Sequence, residues 1–265
     1  MKKIIFFLLF NYLYSQDLFQ YTKEGDNGNL FSSLNEQNIN ETDKFGWSLL
    51  MWAVRNRHLD TIKLLLEKKA SVNIIKNNED ALSIAKYNNY TEIIDLLTDD
   101  TVIYDNLEKK EDEITGDITF RTYLFRYNQD YNGEKRIGTY RVFLKQEDGK
   151  QVFALGLILR NKKESVTLGV AYALKKQLDT FVKQLNDSEY NEEQYFTEKY
   201  TIIFDPEIFK ELANQEGNIN FGIRRGKVNF DFPVPASAFK ALLKKMEELG
   251  WQTKNINDLN DSIDK

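Results

Sequence analysis

Set against itself at an offset of 32 residues, the chain matches Leu50 with Leu82, Ala53 with Ala85, Ile62 with Ile94 and Leu65 with Leu97. A fainter copy stands upstream, where Asp26, Leu30 and Leu34 precede His58, Ile62 and Leu66 by the same interval. The turn segments recur as well, Ile39 and Asn40 falling 33 residues before Val72 and Asn73. A period of this length is that of a solenoid, in which each unit hides its apolar faces only against its neighbours. Leu49, Leu50 and Ala53 supply the close-packed side of one short helix, and Leu59, Ile62, Leu65 and Leu66 recur at helical spacing on the next. Helices this short are marginal in water, so stacking must stabilise them, each buried leucine contributing about 1.5–3 kcal/mol. Barely three units are present, and the downstream part of the chain is expected to cap them.

The segments DKFGWSLLMWA at 43–53, NRHLDTIKLLL at 56–66 and ASVN at 70–73 resemble an ankyrin repeat. The resemblance extends over about 17–99. Leu49 replaces the usual Pro, Met51 the usual His and Arg57 the usual interhelix Gly, while Glu79 or Asp80 stands near the next turn Gly, so the copy over 77–99 is degenerate. Such a stack implies a binding scaffold whose turn tips and first helices form a concave surface. Carried onto this chain, that surface holds Phe45 and Trp47 at one tip, Met51, Trp52 and Arg55 at or near the exposed face of the first helix, and Asn77, Asn78 and Asp80 at the next tip. Trp, Arg and Met are side chains that tend to supply interface energy. The lone His58 falls at the interhelical turn, where a local hydrogen bond or a helix start explains it without chemistry.

Outside the repeats the pattern changes. Lys2 and Lys3, the apolar run Ile4–Tyr14 interrupted by Asn11, and then Ser15, Gln16 and Asp17 follow the order of a secretory signal. The run is too short to cross a hydrocarbon core of about 30 Å, so 1–15 reads as a signal peptide. It would place the protein in the periplasm or outside a bacterial cell. Acidic and basic residues crowd 100–114, read as a charged linker. From Ile118 the apolar period shortens toward two: strands are expected at 118–127, 137–144, 152–159, 166–172, 200–204, 220–224 and 228–232, the first four as a meander. Helices are expected over Leu174–Leu185, Pro206–Leu212 and Phe239–Leu249. The fold class is therefore multidomain, a short helical repeat stack followed by an antiparallel-sheet α+β domain with packed helices at 115–253. A polar tail occupies 254–265. No family resemblance is visible in the second domain.

Charge and residue usage narrow the chemistry. Against 41 Asp and Glu stand 36 Lys and Arg, a formal charge of −5, which argues against a mainly electrostatic grip on nucleic acid. With no Cys and one His, thiol catalysis and multi-histidine metal centres are excluded within one chain. No phosphate loop, serine elbow, zinc motif or calcium loop is present, and no cofactor or metal is expected. Arg224, Arg225 and Lys227, beside Phe221, Phe230 and Phe232, form the densest basic patch and the candidate anion site. The sequence alone thus points to an exported protein-binding module that recognises a protein partner through its repeats. No nucleic acid, no integral membrane domain and no enzymatic activity are expected. Two alternatives remain: an enzyme with a carboxylate, Tyr or Arg based site in the C-terminal domain, or a structural, envelope-associated protein.

Overall fold

The computed structural model describes residues 17–251, apart from 114, 132–133, 148–149, 162–169, 175, 178–180, 191–195 and 226–227. The expected signal segment at 1–15, the tail at 254–265 and Lys227 lie outside the described residues. The chain divides into two compact units, 1–106 and 107–265.

Short helices build the first unit: α1 over 17–24, α2 at Asn27–Ser33, α3 at Leu49–Arg55, α4 at Leu59–Glu67, α5 at Ala81–Tyr87, α6 at Thr91–Leu97 and α7 at Asp100–Asp105. Side chains start several of them. Ser48 accepts from the Met51 N–H, and Asp80 and Ser83 form a reciprocal capping box at the start of α5. Each cap satisfies a backbone donor that the first turn leaves open. Ala53 and Ala85 are wholly buried where α3 lies against α5, so the 32-residue recurrence occupies equivalent, adjacent packing positions. Small side chains there let the helices approach closely. Arg57, which stands in place of glycine, still takes the left-handed backbone at φ 57°, and Asn89, 32 residues later, matches it at φ 56°. For Arg this conformation costs roughly 1–2 kcal/mol, which packing of the flanking helices offsets. The segment 100–114 is more ordered than a charged linker: α7 fills its start and strand β1, Glu108–Glu111, its middle.

The second unit contains, among the described residues, a seven-stranded antiparallel sheet in the order β1-β2-β4-β5-β9-β8, with β3 also paired to β4. Its strands are β1, β2 (Ile118–Arg121), β3 (Phe125–Tyr131), β4 (Glu134–Glu147), β5 (Lys150–Asn161), β8 (Phe181–Tyr190) and β9 (Phe196–Phe204). A four-stranded sheet, β11-β10-β6-β7, joins β11 (Val228–Pro235), β10 (Asn218–Arg225), β6 (Val170–Ala173) and β7 (Lys176–Gln177). Helices α8 (Pro206–Ala213) and α9 (Ala236–Glu248) pack together, and α9 touches both sheets through β4 and β11. Asp205 caps α8 by accepting from the Glu207 N–H, with Pro206 in the first turn, as the Asp-Pro pair implied. Gly250, at φ 66°, ends the turn after α9.

Alternation along the strands sends every second side chain inward. Tyr140, Val142 and Leu144 of β4, Phe153, Leu155 and Leu157 of β5, and Ile202 and Phe204 of β9 are all buried. They meet Phe209 of α8, Phe239 of α9, and Phe221 and Phe232 of the smaller sheet, with ring centroids 4.5 Å apart for Phe153–Phe209 and 5.2 Å for Phe209–Phe239. Two expectations fail here. The apolar stripe expected as a helix at Leu174–Leu185 is instead largely strand, β8 beginning at Phe181, because Phe181 and Val182 pair with Ile203 and Ile202 of β9. The fourth strand of the expected meander, β6, leaves for the smaller sheet and pairs with β10. A cluster of β-branched and aromatic residues satisfies either periodicity over a short window, and long-range pairing decided both outcomes.

Candidate functional site

The face of β2, β4, β5 and β9 turned away from the aromatic core presents Thr119, Arg121, Thr139, Arg141, Phe143, Gly156, Ile158 and Thr201. With Leu124 and Leu157 they line a concavity of about 430 Å³. The register explains the grouping: Arg121 lies opposite Phe143, Arg141 opposite Gly156, and Gly156 opposite Thr201. Gly156 leaves its floor open, since a Cβ there would fall 3.4 Å from the Phe143 Cε1 atom, in ordinary contact with the ring. Most of the lining is apolar, and the two arginines supply its charge.

Glu108 holds those arginines together. Arg121 Nε donates to Glu108 Oε2 at 2.6 Å, and Arg141 Nη1 donates to the same oxygen at 2.8 Å. The three side chains are between 25 % and 32 % exposed, so the cluster is half-buried rather than free in solvent. Partial burial alone would raise the Glu108 carboxyl. The hydrogen bond from Arg121 and the charge and hydrogen bond of Arg141 together outweigh burial and hold the group below its ordinary value. Glu108 is therefore an anion at neutral pH, suited to orienting guanidiniums and unsuited to taking a proton. Two arginines share one carboxylate, leaving a net positive cluster whose remaining N–H groups match phosphate or carboxylate oxygens. Among the described residues no three His, Asp or Glu side chains gather as a metal site.

The sequence-derived positions fall elsewhere. Trp47 and Trp52 pack with ring centroids 5.0 Å apart and planes tilted by 42°, Trp52 Nε1 donates to Asp43 Oδ2 at 2.9 Å, Lys23 lies over the Trp52 ring at 4.1 Å and Arg55 over the Trp47 ring at 5.3 Å. Both rings are half-buried by these neighbours. Met51 is fully buried, contrary to its assignment to the exposed helix face, and Asp80 is buried as the cap of α5. Phe45, Arg55, Asn77 and Asn78 are exposed, the two asparagines in left-handed turns. His58 Nε2 lies 2.8 Å from the Lys23 carbonyl oxygen, a local bond between neighbouring units. Arg224 and Arg225 end β10, and Lys227 is outside the described residues. Glu108, Arg121 and Arg141 were missed. Arg121 is the one charge of β2, but Arg141 is one of several charged residues along β4, and Glu108 was counted with the linker, so no single pattern marked the three.

The sequence profile for ankyrin repeats matches residues 18–107 in three copies. This segment belongs to the ankyrin-repeat family. Proteins called NAD-capped RNA hydrolase NUDT12 are similar over 186 residues: that of Pongo abelii is 30 % identical, that of Homo sapiens 29 % and that of Macaca fascicularis 28 %. Each alignment covers 68 % of this chain and 38 % of the relative, so the chain spans well under half the length of the curated relatives it matches. No solved structure matches. Because the first unit holds only residues 1–106, an alignment of 186 residues necessarily extends into the second.

These relatives correct the functional expectations. Similarity to proteins named as hydrolases, reaching beyond the ankyrin repeats, overturns the reading of the chain as a protein-binding module without chemistry, and with it the expectation that it is not an enzyme. Their named substrate is an RNA, which overturns the choice of a protein partner and the dismissal of nucleic acid. The relatives are primate proteins, which removes the support for a bacterial periplasmic or secreted location. No described helix is long and apolar enough to cross a membrane.

Proposed function

We propose that the chain is an enzyme of the hydrolase type acting on phosphate-linked nucleotides, with the 107–265 unit holding the substrate and the ankyrin repeats preceding it. The observation that carries this reading is the extension of the 186-residue similarity into the second unit. That unit contains a half-buried pair of arginines at the mouth of a cavity. In phosphoryl transfer the charge gathers on the phosphate oxygens, and preorganised guanidiniums stabilise it more in the transition state than in the ground state. Arg121 and Arg141 are fixed for that task by Glu108, so they need not reorganise when substrate enters. Glu108 positions them and takes no part in proton transfer.

The test is product analysis. The full-length protein is incubated with NAD, with a dinucleoside diphosphate and with an NAD-capped RNA, in Mg²⁺ or Mn²⁺ buffer, and nucleoside monophosphate products are resolved by mass. Release of such products, reduced about 100-fold or more in Arg141→Gln, is expected from the loss of one charge-stabilising donor. Failure to cleave any of the three under either metal, by a chain shown to be folded, overturns the reading.

A further inference from the structure

We infer that the concavity over β4 and β5 is a mononucleotide subsite, taking a flat ring on the Phe143–Gly156 floor and its 5′-phosphate at the Arg121–Arg141 pair, with Gly156 as the residue that admits the ring. The inference rests on the proposed action on nucleotides for its ligand class, while its geometry stands on the page independently. The cavity lining combines two chemistries: Phe143, Ile158 and Leu124 supply its apolar side chains, and the two guanidiniums, Arg121 opposite Phe143 and Arg141 opposite Gly156, supply its charge. Its volume of about 430 Å³ lies within the usual range of small-molecule sites, about 300–1,000 Å³. An inorganic anion would use only the arginines and leave the apolar side wet. A nucleoside would cover the apolar side and leave the arginines with Glu108 alone. A nucleoside monophosphate satisfies both.

Gly156 is the discriminating position. It faces the cavity from the middle of β5, between Arg141 and Thr201 on the neighbouring strands, and among the described lining residues it alone lacks a side chain. A single methyl would rest against Phe143 at 3.4 Å, so alanine is accommodated without displacing the strand. Valine fits a strand backbone well, and its second methyl would occupy the space over the ring. Arg141 is the cross-strand partner of Gly156, but none of its atoms lies within 4 Å of a Cβ built there, and Arg121 stands one strand further away on β2.

The experiment is calorimetric titration of the full chain with AMP, adenosine and ribose 5-phosphate, each without turnover. Wild type is expected to bind AMP at least tenfold more tightly than either fragment. Gly156→Val should reduce AMP affinity at least tenfold, to that of ribose 5-phosphate, while leaving ribose 5-phosphate binding unchanged. Gly156→Ala, a folded control, should fall between. Arg121→Gln with Arg141→Gln should reduce AMP to the adenosine level. AMP affinity within twofold of wild type in Gly156→Val, or equal binding of AMP and ribose 5-phosphate by wild type, overturns the subsite. Because binding is read without cleavage, an inactive protein that shows the expected affinities refutes hydrolysis alone, and an active one that lacks them refutes the subsite alone.

Discussion

Replacing Glu108 with Gln removes the charge that two arginines share while keeping the shape and one acceptor oxygen. Two unit charges about 4 Å apart attract by about 4 kcal/mol at an effective dielectric of 20. Solvent reaches a quarter to a third of each side chain here, and desolvation and side-chain ordering oppose the attraction, so this figure must be discounted heavily. Exposed pairs are worth about 0.2–1 kcal/mol each. Two half-buried arms with short, charge-assisted bonds at 2.6 and 2.8 Å therefore place the loss at about 1–2 kcal/mol. The sign with pH follows from linkage. The folded carboxyl sits below its ordinary value, so the unfolded chain binds the proton more readily. The stabilisation is full above the unfolded value and disappears as pH falls through the folded one. Amide exchange on β2 and β4 is the appropriate assay, since it reads this unit alone. Protection at neutral pH should fall about 5- to 30-fold in the variant. Wild type and variant should converge at acid pH, once the Glu108 carboxyl is protonated in the folded chain as well. An equal deficit at both pH values, or no deficit at neutral pH, would refute the charge-based explanation.

Three further outcomes are expected. Phe209→Ala should destabilise the second unit by about 3–5 kcal/mol in denaturant unfolding, since the fully buried ring contacts Phe153 and Phe239; a change below about 1 kcal/mol would show that the aromatic cluster does not hold the sheets and helices together. Asp43→Ala removes the acceptor for Trp52 Nε1 and for the Phe45 and Trp47 backbone N–H groups, and should cost about 1–3 kcal/mol with a red shift in tryptophan emission; unchanged emission would contradict the hydrogen-bonded, half-buried tryptophan pair. Tyr140 is fully buried and donates to the Pro233 carbonyl, and burial raises its phenol well above the ordinary value. Alkaline titration followed by ultraviolet absorbance should show this tyrosine ionising only when the unit unfolds, and early ionisation would contradict its burial.

The repeats were legible because their physics is local. Leu50, Ala53, Leu82 and Ala85 report a period whatever surrounds them, and Ser48 and Asp80 mark their helix starts by hydrogen bonds three residues away. The same locality misled at Met51. Its place in the first helix suggested exposure, but burial depends on what the neighbouring units cover. In the second unit β2 to β5, part of β9 and the Asp205–Pro206 helix start were legible, whereas β1 read as part of the linker and β8 looked helical because only its pairing with β9 distinguishes the two. The candidate site was illegible as a site for a related reason. Glu108, Arg121 and Arg141 are separated along the chain and meet only because β1, β2 and β4 are successive neighbours in one sheet. The net charge of −5 concealed them, since an overall balance says nothing about two cations brought together on one face.

The most direct measurement is a crystal structure of the full chain with AMP bound. The nucleotide phosphate should lie within hydrogen-bond distance of both Arg121 and Arg141, with the ring against Phe143 over Gly156. AMP seated elsewhere, with both arginines still engaged by Glu108 alone, would contradict the assignment of this concavity as the substrate site.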